Sequence, residues 1–408
     1  MYPSPTGQIA GPSCRVSHVK RLRIGIIYGG RSSEHAVSLA SAAAIIANLD
    51  RERYEPVPIR IEQDGRWVLA ERPPTLESAG DTIERARLEP RRAARSTREL
   101  HLVAHPGDET MLTVDRVIGG DSGSDNAGHA IVTGLALDLI FPIVHGPYGE
   151  DGTLQGLLEL ANIPYVGAGV LAAAVGMDKA VMKVLFAASG LPIVRHEVLL
   201  RRNWQADRAG ILSDLTGRLR FPLFVKPANL GSSVGISRAL ERDTLSSAID
   251  LAAEFDRKIV IEEGVTPCRE IECGVLGNND PEASVPGEII SSRDFYDYEA
   301  KYLDDRSEMI IPAALTPEQT DEIQRLSIAA FRAIDGAGMA RVDLLLERKT
   351  ARLFLNEINT HPGFTTISMY AKMWAASGLS YPALLDRLIA LANERHVEKQ
   401  ESRTSVRE

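Results

Sequence analysis

The chain has 408 residues, 44% of them apolar, and a formal net charge of −9. That length suits two or three domains with cores of their own, the charge balance excludes a general nucleic-acid binder, and no apolar run reaches the roughly 18–20 residues of a membrane-crossing helix. Three cysteines, Cys14, Cys268 and Cys273, form no CxxC pair, which argues against a disulfide framework or a zinc site and fits a reducing cytoplasm.

Residues 1–22 are polar, lack an apolar signal-peptide segment and read as an extension. The strand Ile24–Tyr28 then runs into Gly29-Gly30, and a Ser/Ala/Ile-rich helix begins near Val37, an α/β opening. Its turn, YGGRSSEHAVSL, offers backbone donors and one acid, Glu34; alone it reads as a helix start with a solvated carboxylate. Residues 72–132, arginine-rich and then turn-rich, read as surface hairpin and loop. The strand Leu137–Val144 delivers HGPYGEDGTLQG, with a helix from about Thr153. Glu150 and Asp151 suit the first turn of a helix; that reading explains His145 less well.

From Gly169 the chain is helical through LAAAVGMDKAVMKVLFAASG, and Lys179, Lys183 and the later Lys301 each read as surface lysines. FPLFVKPANLGSSVGISRA is a strand with Lys226 at its end, then a Gly-Ser-Ser-x-Gly loop. Small residues let backbone N–H groups close around phosphate oxygens, and a lysine adds charge. The stretch is not a P-loop, and such turns are common. KIVIEEGVTPCREIECGVLG reads as two strands joined by a turn. In ALTPEQTDEIQRLSIAAFRAIDGAG, Thr316, Pro317 and Gln319 mark a capped helix start.

Two strands follow, MARVDLLLE and LFLNEIN, close enough for a hairpin. Strict alternation puts Leu353, Leu355, Glu357 and Asn359 on one face. Pairing would gather Asp343, Glu357 and Asn359, oxygen donors that suit a hard cation such as Mg²⁺. A solvated edge hairpin with its polar residues outward accounts for the pair equally well. Apolar residues on both faces argue for burial, where unpaired carboxylates are costly without a cation. The chain ends in an amphipathic helix, YPALLDRLIALANERHVEKQ, with a charged, frayed tail. No internal repeat is present.

Eight stretches, GGRSSEHAVSLASA, FPIVHGPYGEDGTLQG, MDKAVMK, FVKPANLGSSVGIS, REIECGVLGN, YDYEAKY, ARVDLLL and NEINTHPGFTTISMY, resemble in order the D-alanine–D-alanine ligases of the ATP-grasp superfamily, over roughly residues 23–392. The resemblance implies an α/β (α+β), three-domain ATP-grasp fold: a Rossmann-like N-terminal domain over 23–167 carrying the 72–132 insert, a central subdomain over 168–262, a catalytic subdomain over 263–396 and a charged tail over 397–408. It implies ATP-driven formation of D-alanyl-D-alanine through a D-alanyl phosphate, in a cytoplasmic homodimer with no nucleic-acid or membrane partner.

By motif, Asp343, Glu357 and Asn359 would hold two Mg²⁺ ions, which Mn²⁺ can replace. Lys179, Lys226 and Lys301 would contact phosphates, under a lid of Gly231, Ser232, Ser233 and Val234. Glu270 would bind the ribose. The spacing from the adenine-edge acid to REIE is one residue longer than in the family, so either Glu262 or Glu263 faces the adenine. Glu34 would hold the first substrate's ammonium, with His145 near its carboxylate. Arg341 and the Gly363 N–H would stabilise the oxyanion, Ser368 would bind the second carboxylate, and Tyr302 would join Ser232 and Glu34 in closing the lid. Tyr302 favours an amine acceptor, D-alanine or D-serine, over D-lactate. A nucleotide-binding paralogue with little turnover is the alternative of another class; it has no need of Arg341 and Ser368. The sequence departs from the family at Thr366 and Ala371, where proline is usual, and at His361, which reads as an exposed loop histidine.

Overall fold

The computed structural model describes residues 20–77, 80–82, 84, 98–102, 111–116, 130–290 and 308–403. Among these, the strands form three sheets. The first contains β1 (Leu22–Gly29), β2 (Tyr54–Ile61), β3 (Trp67–Leu69), β4 (Arg98–Leu102), β5 (Met111–Arg116), β6 (Ala130–Leu135) and β7 (Leu139–Pro142). Its order is β6-β5-β4-β3-β2-β1-β7. β1 lies parallel to both β2 and β7. Ile24, Ile26 and Ile27 are fully buried, as a central strand covered on both faces requires. Helix α1 (His35–Asn48) follows the glycine turn, and α2 (Thr153–Leu160) follows the loop after β7. β4 and β5 form the hairpin expected within 72–132. It is not only surface: Leu100 and Met111 enter the same core as Ile27 and Ile59.

The helical stretch from Gly169 is two helices, α3 (Val170–Met177) and α4 (Lys179–Ala188). Asp178 breaks it with an extended backbone (φ −87°, ψ 96°), and its side chain accepts from the Ala180 and Val181 N–H groups. This N-cap satisfies donors a helix start leaves unpaired and places Lys179 at the first position of α4.

The second sheet contains β8 (His196–Leu200), β9 (Leu223–Pro227), β10 (Ser237–Ala239) and β11 (Lys258–Glu263), in the order β10-β9-β11-β8. Helices α5 (Arg201–Ala206), α6 (Arg208–Arg218) and α7 (Arg242–Phe255) belong to this unit, and Leu245, Ile249 and Ala252 of α7 fill its core with Leu223, Val225 and Ile261.

The third sheet contains β12 (Cys268–Gly277), β13 (Glu282–Ala283), β14 (Gly287–Ile290), β15 (Glu308–Ile310), β16 (Gly338–Glu347) and β17 (Leu353–Asn359). Its order is β15-β14-β12-β16-β17, with β13 beside β12. β11 and β12, consecutive in sequence, lie in different sheets, so the segment 264–267 links two sheets rather than closing a hairpin. Helix α8 (Pro317–Ala333) has the expected reciprocal cap between Thr316 and Gln319.

The β16–β17 hairpin departs from strict alternation. Asp343 pairs with Glu357, but Leu344 pairs with Leu355, so Asn356 is an extra residue in the ladder. Such a bulge resets the faces beyond it. Leu355 and Ile358, three residues apart, both enter one core. Glu357 and Asn359 therefore do not share a face with Leu353 and Leu355. Helix α9 (Met369–Ala376) and α10 (Tyr381–Gln400) complete the fold. Leu384, Leu385 and Leu388 of α10 pack into the core that holds Ile24 and Phe141. The tail expected to fray is helical to Gln400, and Lys399 pairs with Glu159 of α2.

Candidate active site

Two cavities adjoin along the third sheet. The larger, about 420 Å³, opens between the second and third sheets, and its walls include Lys226, Ser233, Glu262, Glu270, Asp343 and Glu357. The smaller, about 120 Å³, gathers Glu34, His145, Ser232, Arg341, Gly363 and Ser368, from five separate stretches of sequence. Glu357 belongs to both walls.

The register of three strands sets up the junction. Glu272 of β12 lies opposite Asp343 of β16, and Asp343 lies opposite Glu357 of β17. Three carboxylates thus form a row across the sheet, with Asn359 one step on, opposite Arg341. Arg341 answers the charge. Its guanidinium donates to both Asp343 oxygens at 2.7 Å and lies 3.2 Å from Glu272. Burial alone would ease its proton off, but Asp343 and Glu272 raise its pKa well above the ordinary arginine value. Bidentate pairing of this kind also fixes orientation. Asp343, Glu357 and the Asn359 amide offer oxygen donors only, a fit for Mg²⁺ rather than for a soft metal.

In the larger cavity, Lys226 Nζ lies 2.7 Å from Glu262 and 3.1 Å from Asn356 Oδ1. Burial works against both charges, yet Glu262 raises the Lys226 pKa, and Lys183 with Lys226 hold the Glu262 carboxyl down at about 2. Both adjacent acids line the cavity. Glu262 is buried between Lys183 and Lys226, whereas the Glu263 carboxylate accepts from the Arg220 N–H at 3.0 Å. Lys179, at the start of α4, donates to the Leu230 carbonyl at 2.7 Å and lies 3.7 Å from Glu357. It therefore joins the neck of the glycine loop to the carboxylate row.

That loop holds two consecutive non-glycine residues in the left-handed region, Ser232 (φ 49°) and Ser233 (φ 58°), before Gly235 (φ 72°). Such backbone is strained and typical of ligand clamps. The loop lies against the N-terminal domain: Ser232 donates to the Glu34 carboxylate. A Cβ at Gly146 would lie 2.7 Å from the same carboxylate, and that backbone has φ 76°. Glycine is required there for both reasons.

His145 is buried. Its Nδ1 pairs with Glu150 at 3.2 Å and its Nε2 with Ser41 Oγ at 3.2 Å. Burial would lower its pKa, but Glu150 outweighs that and the net direction is up. The Ser368 hydroxyl meets the Thr365 N–H and hydroxyl, and Gly363 is close enough that a Cβ would lie 3.0 Å from Ser368 Oγ. Gly231 and Val234 flank the two serines, and Glu270 lines the larger cavity. Lys301 and Tyr302 lie outside the described residues.

Two readings are corrected. His361 is not an exposed loop residue but fully buried, against Gly167 and 3.3 Å from Gln155 Nε2, and burial pushes its pKa down to about 4. Lys179 and Lys183 are not surface lysines: both are buried, Lys183 completely and 2.9 Å from Glu262. Sequence reasoning also missed Glu272 and Asn356. Glu272 carried a signal, since it stands two residues from Glu270 in a strand. Asn356 carried none, because its position depends on the bulge.

Comparison with known proteins points to one family. A family model described as the N-terminus of D-ala D-ala ligase matches residues 23–168, and one for its C-terminus matches residues 185–390. D-alanine--D-alanine ligase of Bacillus licheniformis is 44% identical over 381 residues, 93% of this chain and 98% of that protein. The protein of the same name from Solibacter usitatus is 45% identical over 94% of this chain and 99% of its own length. Among solved structures, the D-alanine-D-alanine ligase from Coxiella burnetii superposes with a TM-score of 0.75 at 35% identity, covering 94% of this chain and 97% of that one. VanG D-Ala:D-Ser ligase from Enterococcus faecalis superposes with 0.76 at 31% identity, covering 91% and 100%.

Proposed function

The chain belongs to the D-alanine–D-alanine ligase family, with the ATP-grasp fold, and we propose that it divides the family's reaction between the two cavities. The enzyme joins two D-alanines into D-alanyl-D-alanine for peptidoglycan precursors, converting ATP to ADP and phosphate.

In this reading ATP takes the larger cavity. Glu270 receives the ribose hydroxyls, Glu262 the adenine amino edge, and Lys179 and Lys226, with Lys301, the phosphates. The backbone of residues 231–234 covers them. The first D-alanine takes the smaller cavity, its ammonium on Glu34 and its carboxylate toward His145. One carboxylate oxygen attacks the γ-phosphorus, the bond to the β–γ bridging oxygen breaks, and ADP leaves. The neutral amine of the second D-alanine, whose carboxylate rests on Ser368, attacks the acyl carbon. Arg341 and the Gly363 N–H receive the oxyanion, the C–O bond to phosphate breaks, and the amine's proton leaves. Asp343, Glu357 and Asn359 would hold Mg²⁺, which would supply charge neutralisation at the phosphates. Because no covalent enzyme intermediate is needed, the protein contributes positioning and charge.

The observation that carries this reading is Glu357 in the walls of both cavities, within the row Glu272–Asp343–Glu357. Phosphate donor and acceptor then meet at that row. Replacing Glu357 with Gln should lower D-alanine-dependent phosphate release by about 100-fold or more while ADP still binds; release close to wild type would refute the placement.

We further infer subdomains over 23–167, 168–262 and 263–396, a cytoplasmic location and a homodimer. No described helix is long and apolar enough to cross a membrane. Leu171 of α3 and Val181 and Val184 of α4 are exposed, an apolar surface that suits a second subunit.

A further inference from the structure

Lys183 has no place in the chemistry above, yet it is among the most deeply buried side chains of the molecule. It stands one helical turn after Lys179 on α4, so both lysines project from one face of that helix. Lys179 reaches the glycine loop; Lys183 reaches behind it. Its Nζ lies 2.9 Å from Glu262 Oε1 on β11 and donates to the Asn356 carbonyl on β17 at 3.3 Å. That carbonyl is free of the ladder because Asn356 is the bulge residue. Lys226 makes the matching contacts: Glu262 Oε2 at 2.7 Å and the Asn356 side-chain oxygen at 3.1 Å. One acid and one bulged asparagine thus each take two lysines, across the gap between the second and third sheets.

Lys183 does not line the nucleotide cavity, whereas Glu262, Lys226 and Asn356 do. Glu262 Oε1 is enclosed and faces Lys183, so a partner in the cavity meets the other oxygen, Oε2, beside Lys226. A fully buried ammonium is expensive, and an apolar side chain of similar size commonly serves stability as well or better. The charge therefore calls for a reason other than packing.

We propose that Lys183 is a positioning residue that sets nucleotide specificity: by holding Oε1 from behind, it keeps the Glu262 carboxylate square to the cavity, so that Oε2 accepts from the amino group of adenine. The proposal rests on the placement of Glu262 at the adenine edge. Without Lys183, the carboxylate either turns wholly to Lys226 or takes up a proton. Both outcomes remove the acceptor, and a protonated carboxyl would favour a purine bearing a carbonyl in place of the amino group.

The test is the ratio of kcat/KM for ATP to that for inosine triphosphate, in wild type, Lys183→Met, Glu262→Gln and the double variant, with melting temperatures in parallel. The ratio should fall about tenfold or more in Lys183→Met, the KM for D-alanine should hold within about twofold, and the double variant should show no further fall than Glu262→Gln alone. A ratio lowered in Glu262→Gln but unchanged in Lys183→Met, or effects that simply add, would overturn the role of Lys183 alone. A ratio unchanged in Glu262→Gln would overturn the placement of Glu262 and this proposal with it. Lys183→Gln, which keeps a donor, replaces the Met variant if that fails to fold; failure of both makes Lys183 a core residue and overturns the proposal.

Discussion

Glu262 ties the enzyme's acid stability to its nucleotide site. Its carboxyl is held at about 2 by Lys183 and Lys226, against an ordinary value of 4.5. A depressed carboxyl stabilises the fold above the unfolded-state pKa and loses that stabilisation as pH falls through the window from about 4.5 to 2. The expected result is a melting temperature that declines over that window, with a shallower decline in Glu262→Gln, measured by calorimetry; equal slopes would show that Glu262 contributes nothing. Arg341 makes a second prediction at this scale. Lysine cannot reproduce its bidentate grip on Asp343, so Arg341→Lys should cut kcat by about 100-fold with little change in ATP affinity, as read by steady-state kinetics and calorimetric titration. The carboxylates, the amide and the glycine loop that line the two cavities were legible residue by residue because they stand in family order. Lys183 was not, because one lysine in a helix reads as surface until its partners, 79 positions away in the case of Glu262, are in place.

Elements were legible where local chemistry fixes them. The Thr316–Gln319 cap and the β16–β17 hairpin appear where residue types demand them. Two interruptions did not. The Asp178 break reads in sequence as one polar residue in an apolar helix, yet it reorients Lys179. Asp178→Ala removes the cap and the Lys258 partner. It should cost about 1 kcal/mol for the cap alone, measured by denaturant unfolding, and raise the KM for ATP. The Asn356 bulge is invisible to a period-2 reading, which put Glu357 on the wrong face. Deleting Asn356 would make the ladder regular and leave Glu357 opposite Asp343, but it would remove the side-chain and carbonyl oxygens that Lys226 and Lys183 meet. Phosphate release should therefore persist with a raised KM for ATP, read by steady-state kinetics. Complete loss of release would show that the bulge also sets the face of Glu357.

At the scale of the whole molecule, the C-terminal helix holds the N-terminal domain to the catalytic sheet. Arg395 donates to the Gly167 and Tyr165 carbonyls and stacks 4.3 Å over the Tyr165 ring. A Cβ at Gly167 (φ 97°) would lie 3.0 Å from His361 Nε2, and one at Gly338 3.1 Å from Gly167 Cα, so this close seam backs the substrate loop. No periodicity in sequence reports such contacts between distant segments, and His361 was misjudged for that reason. The central claim is that the two cavities perform one ligation. Its most direct measurement is phosphate release from Mg-ATP by the purified chain, with D-alanine alone, with D-alanine plus D-serine or D-lactate, and with L-alanine, the products identified by mass. Release that depends on D-alanine and yields chiefly D-alanyl-D-alanine is the expected result. ATP binding with no D-amino-acid-dependent release, or a mixed product formed in preference, would contradict it.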